Sequence, residues 1–325
     1  MLQPEIDNLN GKQPFYQSST SSVYLVSNKI IKVITSPSIY DLNFNLQKIM
    51  LSFNHDHPRI VPYNSFTLSK DPTCFKTYIT MPKMASTLLE EITFRSMYKN
   101  YFSQQSLLQH CLALIETLIY LREKGIAHGN LKASNIMFDE DNEIYLTDVS
   151  HNFTFERDKH LTDLPKSNNT HTTYQAPELK NRTTAEIEEI ITGDIWSLGV
   201  IMIEMAELEF IRRADLEEPN LRKRLTNIGI RYGDYMGIVI GQMVHPNPRK
   251  RWNLQEIKTF LVQSFIPCIG KEVKRVYNPL RVEDYAYQLE KIKGKTFVDS
   301  ITYVDVFESK EMVNFYHNFS EDKNN

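Results

Sequence analysis

The apolar pattern of this chain changes period once, near Met84, and that change bounds what it can fold into. Before it, apolar residues come in short β-branched runs: Val23-Tyr24-Leu25-Val26, a Ser27-Asn28 turn, then Ile30-Ile31-Lys32-Val33-Ile34. Two such runs joined by two turn residues predict a hairpin. HPRIVPYNSF (57–66) and CFKTYITM (74–81) predict two more strands. Between the hairpin and those strands Leu42, Leu46, Ile49, Met50 and Phe53 recur at helical spacing and predict a helix over 41–53. After Met84 the period is helical. An apolar stripe from Leu107 to Leu121 predicts a buried helix, ended by Gly125. Asp194 to Glu207 is apolar on most sides, as the central helix of a domain is. Residues 236–244 and 254–265 predict two closing helices, and the mixed charges of 212–231 predict a solvated helix and loop. A small strand-rich part followed by a large helical part fits an α+β, two-lobed fold with a cleft between the lobes.

Composition narrows the function classes. Basic and acidic residues, 37 against 40, leave a net charge of −3, which argues against a nucleic-acid partner. Cys74, Cys111 and Cys268 are too widely spaced for a disulfide framework or a zinc site. The start MLQPEIDNLN has neither the basic nor the apolar run of a signal peptide, and the longest apolar stretches are too short to span a bilayer. The expectation is a soluble cytoplasmic protein, or one that is also nuclear.

Between Ile126 and Ile136 the chain reads IAHGNLKASNI, and at Thr147–Ser150 it reads TDVS. This pair resembles the catalytic loop (HRDLKxxN) and the metal-binding DFG motif of the eukaryotic protein kinase superfamily. Other landmarks follow in the family's order. FYQSSTSSVYLV (15–26) is similar to the glycine-rich loop, KIIK (29–32) to the VAIK strand, and HPRIV (57–61) to the HPNIV segment. YITMPKM (78–84) resembles the hinge, with Met81 as gatekeeper. APE (176–178), DIWSLG (194–199) and NPRKR (247–251) complete the set. The resemblance runs from about Phe15 to Phe265. It implies a bilobal kinase-like domain over 15–266, with an N-lobe (15–83) and a C-lobe (84–266). A flexible 1–14 would precede it and a tail, 267–325, would follow.

The resemblance assigns roles residue by residue. Lys32 would hold phosphates, Lys132 would steady the γ-phosphate, and Asp148 and Asn135 would hold magnesium. Val23, Ser18, Ser21, Ile30, Met81, Met84 and Met137 would line the ATP pocket. Glu178 and Arg251 would form a buried ion pair, Asp194 would cap the catalytic-loop backbone, and His128 would be structural. His55 and His57 flank Asp56 in a turn, which is weak metal evidence.

Several positions depart from the family. Asn130 stands where the catalytic Asp belongs, and an amide cannot take up a proton at neutral pH. The loop glycines are replaced by Tyr16, Ser18 and Ser21, which hinders close approach of backbone to phosphate. Ile30 replaces the small residue over adenine. The glutamate that pairs with Lys32 is missing: its position falls near Leu46 to Lys48, and Asp41 lies too early, so Lys32 is expected to lack that partner. Gly129 replaces the arginine that gathers a phosphorylated activation loop, so Thr154, Thr162, Thr170, Thr172 and Thr173 read as loop residues. Val149 and Ser150 replace Phe and Gly of DFG.

Three functions stay open. One is a pseudokinase that regulates or scaffolds signalling proteins, such as an active kinase, with or without Mg-ATP. Another is an atypical Ser/Thr kinase with weak phosphotransfer. The last is a nucleotide-free interaction module. The tail, with Tyr285, Tyr287, Phe297, Tyr303, Phe307, Phe315, Tyr316 and Phe319, either packs on the core or docks a partner. Its YHNFS faintly resembles the FxxFS hydrophobic motif of some kinases.

Overall fold

In the computed structural model, residues 11–53, 56–149, 161–163, 173–180, 182 and 184–272 are described, with Ile6 and Leu9. Two units divide at Pro267, Met1–Pro267 and Cys268–Asn325; of the second only the end of the last helix is described. The tail aromatics, Ser150 and Thr154, Thr170 and Thr172 lie outside the described residues.

The first unit opens with a five-stranded antiparallel sheet: β1 (Tyr16–Gln17), β2 (Ser21–Val26), β3 (Lys29–Ser36), β4 (Ser65–Lys70) and β5 (Phe75–Pro82), in the order β1-β2-β3-β5-β4. The hairpin predicted from the two β-branched runs is β2–β3. Its turn residues Ser27 and Asn28 both take positive φ, 47° and 68°, the conformation that suits the right-handed strand twist. Side-chain alternation puts Ile31 and Val33 on one face, where they pack with Val26, Tyr24 and Tyr78. Leu9, in the segment expected to be flexible, packs against the same cluster. Lys32 belongs to the other set of alternating residues, opposite Val23 in β2 and Ile79 in β5.

Helix α1 (Ile39–Phe53) buries Leu42, Leu46 and Ile49, the stripe read from the sequence. Its Asn45 donates to the Ser36 hydroxyl of β3 at 2.9 Å. Arg59–Val61 then ties the sheet-rich lobe to the helical one. Leu146 donates to the Arg59 carbonyl and accepts from the Val61 N–H, both at 2.8 Å.

The helical lobe holds α2 (Leu88–Tyr98), α3 (Gln104–Glu123), α4 (Ile187–Glu207), α5 (Asn220–Tyr232), α6 (Asp234–Met243) and α7 (Leu254–Glu272). A three-stranded sheet, β6 (Ser86–Thr87), β7 (Ile136–Phe138) and β8 (Ile144–Leu146), lies at its edge, and β9 (Leu161–Asp163) pairs with β10 (Thr184–Glu186). Helix α3 ends as expected, with Gly125 at φ +69°. Every residue of α4 from Gly193 to Ala206 is buried.

Two expectations are corrected: the strand read over 57–66 begins only at Ser65, and the central helix starts earlier than read. The central helix starts at Ile187, not Asp194. The first turn carries a reciprocal cap between Glu186 and Glu189, so Asp194 is free for another task. The charged stretch 212–231 is, as expected, a largely exposed loop and helix, with Arg224 as the exception. Arg224 is only 16% exposed and bridges Glu207, Glu209 and Asp215, which neutralise it where it is buried.

Candidate functional site

The loop before β7 is shaped by a carboxylate from the central helix. Asp194 accepts the backbone N–H of His128 at 2.7 Å and of Gly129 at 2.9 Å. Burial pushes its carboxyl up to about 7, although those two donors pull the other way. Gly129 sits at φ +69°, a left-handed conformation that costs glycine little. His128 is fully buried, and its ring contacts the Thr147 carbonyl at 3.1 Å, a structural placement. The same loop presents Asn130 and Lys132. Asn135, in a 3-10 turn over Ala133–Asn135, donates its side-chain amide to the Asn130 carbonyl at 2.8 Å.

Asp148 follows β8 at φ +57°. Both its oxygens accept from Lys32 of β3, at 2.6 and 2.7 Å, and one accepts the Tyr63 hydroxyl at 3.0 Å. Burial raises the Asp148 carboxyl, but the Lys32 ammonium and the Tyr63 hydroxyl outweigh it and hold the group below the usual carboxylate range. Tyr63 itself is pushed well above its ordinary value, by burial first and then by the Asp148 charge. Lys32 is therefore paired, with Asp148 in place of a helix carboxylate. Asp41 is engaged with Ser38 at the start of α1.

On α1, Lys48 rests its ammonium 4.1 Å from the centre of the Phe44 ring. Burial lowers its ammonium to about 8, while Asp148 raises it and Lys32 lowers it. Lys132 is shifted down by the same causes in the same order. Sequence reasoning noted a missing glutamate near 46–48 but did not draw out that Lys48 stands there, nor that Tyr63 reaches Asp148. The spacing of 16 residues from Lys32 was the available signal for Lys48. For Tyr63 there was none, because its role depends on chain crossing between lobes.

The phosphate-loop positions fold on themselves. Ser18 Oγ accepts from Ser21 N at 3.0 Å and Thr20 N at 3.4 Å, and lies 2.9 Å from Ser21 Oγ. Amides that a glycine-rich loop offers to phosphate are here bonded to a side chain of the loop itself. Tyr16 is 56% exposed, so its ring does not fill the space under the loop. Ile30 lies opposite Met81 in the β3–β5 register, and Met81 is buried. Val23, Ile30, Met84 and Met137 are half-buried, as side chains along an open cleft are.

Magnesium would have Asp148 and Asn135 to draw on. Both Asp148 oxygens already take the Lys32 ammonium. Among the described residues no three His, Cys, Asp or Glu side chains come together as a metal site. Magnesium in nucleotide sites is held by one or two carboxylates with substrate phosphates and water, so Asp148 and the Asn135 side-chain oxygen would be the residues to hold it, with Lys32 displaced from one Asp148 oxygen.

Behind the cleft, Arg251 makes bonds of 2.7 and 3.2 Å to Glu178 and further bonds to the Thr192 and His245 carbonyls. Its side chain is 0% exposed. This is the pair the sequence resemblance implied.

The protein kinase domain family matches residues 16–261. Similar stretches occur in serine/threonine-protein kinase KIN4 of Saccharomyces cerevisiae, 29% identical over 54% of this chain and 23% of that protein. In serine/threonine-protein kinase PAK 5 of Rattus norvegicus the figures are 27%, 52% and 21%. In retinal guanylyl cyclase 1 of Homo sapiens they are 32%, 37% and 10%. The chain thus spans less than a quarter of the length of each of these relatives. That family generally binds ATP and magnesium. Matched from the first strand of its sheet into its last helix, this chain belongs to the protein kinase family.

Proposed function

We propose that the chain is a regulatory or scaffolding member of the protein kinase family that has kept the fold and lost phosphotransfer. One observation carries this reading: the single acid of α1, Asp41, bonds to Ser38, and Lys32 rests on Asp148 instead of a helix carboxylate. Phosphoryl transfer depends on positioning and charge neutralisation, and both are altered. Asn130 adds the loss of a proton acceptor, worth about 10²–10⁴ in rate. The function left to such a domain is to bind other proteins. A relative named for a cyclase fits the view that this fold serves proteins with other activities. No helix among the described residues is long and apolar enough to cross a membrane.

A second reading, weak Ser/Thr phosphotransfer, is favoured by the joint presence of Lys32, Lys132, Asn135 and Asp148 around one cleft. Radiolabel transfer from ATP decides between them. Transfer that vanishes in Lys32→Ala and Asp148→Ala would overturn the regulatory reading; none above background supports it.

A further inference from the structure

Helix α2 buries one flank and leaves the other in water. Leu88 and Ile92 are buried, and Arg95 pairs with Glu91 at 2.6 Å and lies 4.2 Å from the centre of the Phe102 ring. Glu90, Phe94 and Met97 fall at i, i+4 and i+7, a row on the opposite side. Phe94 is 57% exposed, Met97 73% and the adjoining Tyr98 69%. The Phe94 and Tyr98 rings are 5.0 Å apart, so the three side chains form one patch. A large side chain has about 200 Å² to bury, so the patch leaves roughly 400 Å² of side chain in water. A single exposed apolar residue needs no explanation, but a contiguous patch of this size marks a contact surface.

The two ends of that face carry opposite charges. Glu90 stands in the first turn and Lys99 at the C-cap. The Glu90 carboxylate accepts the Thr87 N–H at 2.8 Å and the Thr87 hydroxyl at 2.9 Å, both through Oε2, which fixes the acid at the helix start. Acid first and base last suits the macrodipole of any single helix. Here the residues between them are apolar and exposed, which makes the face complementary to its own reverse. Glu90 and Lys99 lie about 14 Å apart along the axis at about 1.5 Å per residue. A two-fold axis beside Phe94 therefore brings Glu90 of each copy level with the other's Lys99. It also brings the two Phe94 rings together, with Met97 and Tyr98 of each copy beside them. A two-fold interface needs that reciprocity, in which i meets j and j meets i.

We infer that α2 is a homodimer contact, packed antiparallel against α2 of a second copy of this chain. The apolar patch with its charged rim offers about 600 Å² per copy, the low end of specific interfaces. The dimer is accordingly weak and reversible, with a dissociation constant in the micromolar range. This goes beyond the regulatory role and does not rest on it. A domain found to transfer phosphate would keep the same face, and a domain found to be monomeric could still regulate.

The test is sedimentation equilibrium of the full chain from about 1 to about 200 µM, a range that brackets such a constant. Wild type should pass from the mass of one chain to twice that mass. Met97→Glu, on a side chain that packs little in the monomer, should weaken dimerisation by about tenfold or more, and Phe94→Glu at least as much. Lys99→Glu should weaken it by about threefold to tenfold. Adding Glu90→Lys to it should restore association, because the exchanged charges meet again across the axis. Melting curves check that each variant folds, and Met97→Glu decides the matter if another does not. The inference is overturned if wild type stays a monomer throughout that range, which would leave the face to a different protein. It is equally overturned if Met97→Glu associates like wild type, or if the folded double variant associates no more tightly than Lys99→Glu alone.

Discussion

The Tyr63 hydroxyl donates to the same Asp148 oxygen that lies 2.6 Å from the Lys32 ammonium. Three segments far apart in sequence therefore converge on one carboxylate, whose backbone sits at φ +57°. A left-handed aspartate is an uncommon conformation, and the two donors offset its cost.

Removing one of those donors should be measurable. Tyr63→Phe keeps the ring, which packs edge-on against Phe53 at 5.9 Å, and deletes only the hydroxyl. A hydrogen bond to a charged group is worth about 1.5–3 kcal/mol, and urea unfolding should show a loss of that size. An unchanged midpoint would mean the bond does not form in solution.

Restoring the acid alone should not restore chemistry. Asn130→Asp is expected to leave radiolabel transfer from ATP to a basic protein substrate at background, since Lys32 still rests on Asp148. Combining it with Lys48→Glu, which returns a carboxylate to α1, should raise transfer by about tenfold or more. Activity from Asn130→Asp by itself would favour the weak-kinase reading.

The Glu178–Arg251 pair should be a stability determinant. Arg251→Ala leaves Glu178, only 17% exposed, without its charge partner. Breaking such a pair costs about 3–5 kcal/mol, which denaturant melts would register as a large drop in midpoint. A drop under about 1 kcal/mol would mean solvent reaches the pair freely.

Glu204 predicts a pH slope. It is 1% exposed, accepts the Tyr174 hydroxyl at 2.7 Å and the Ile211 N–H at 3.2 Å, and burial pushes its carboxyl from 4.5 up to about 7. Between those values the folded protein keeps a proton that the unfolded chain releases. Stability is therefore fully present below about 4.5 and falls as pH rises toward 7, by on the order of 3 kcal/mol from this group. Glu204→Gln, which keeps an oxygen for the Ile211 N–H and can donate its amide to the Tyr174 hydroxyl, should flatten that part of the slope. Asp194 contributes in the same sense, so the slope is reduced and not abolished.

Gly199 sets two effects against each other. Alanine gains about 1 kcal/mol of helix propensity over glycine. At Gly199, however, a Cβ would meet the Met243 Cβ and Val244 Cγ1 at 2.7 Å. Overpacking costs about 1–3 kcal/mol, so Gly199→Ala should lower the melting temperature. A rise would mean that α6 can move aside.

What the sequence made legible follows from where each signal is stored. The β2–β3 hairpin, α1 and α3 were readable because their periodicity and turn residues are local. Glu178–Arg251 came from matched motifs. The start of α4 was misplaced because Asp194 has the chemistry of a helix cap; its carboxylate does cap backbone, but that of His128 and Gly129, some 65 residues away. Arg224 looked solvated because the carboxylates that enclose it, Glu207, Glu209 and Asp215, lie earlier in the chain and off its own helix. Tyr63 and Lys48 gain their roles only once two lobes share a cleft, and no local pattern encodes that.

The turn closed by Ser18 bears on how such a domain would respond to a ligand. A glycine loop is loose until phosphate orders it, so occupancy is written into its backbone. Here the amides of Thr20 and Ser21 are already satisfied. The loop has little order left to gain, and the entropy that would couple occupancy to the outer surface has been spent during folding. A message sent by this cleft would have to leave through some element other than the roof above it.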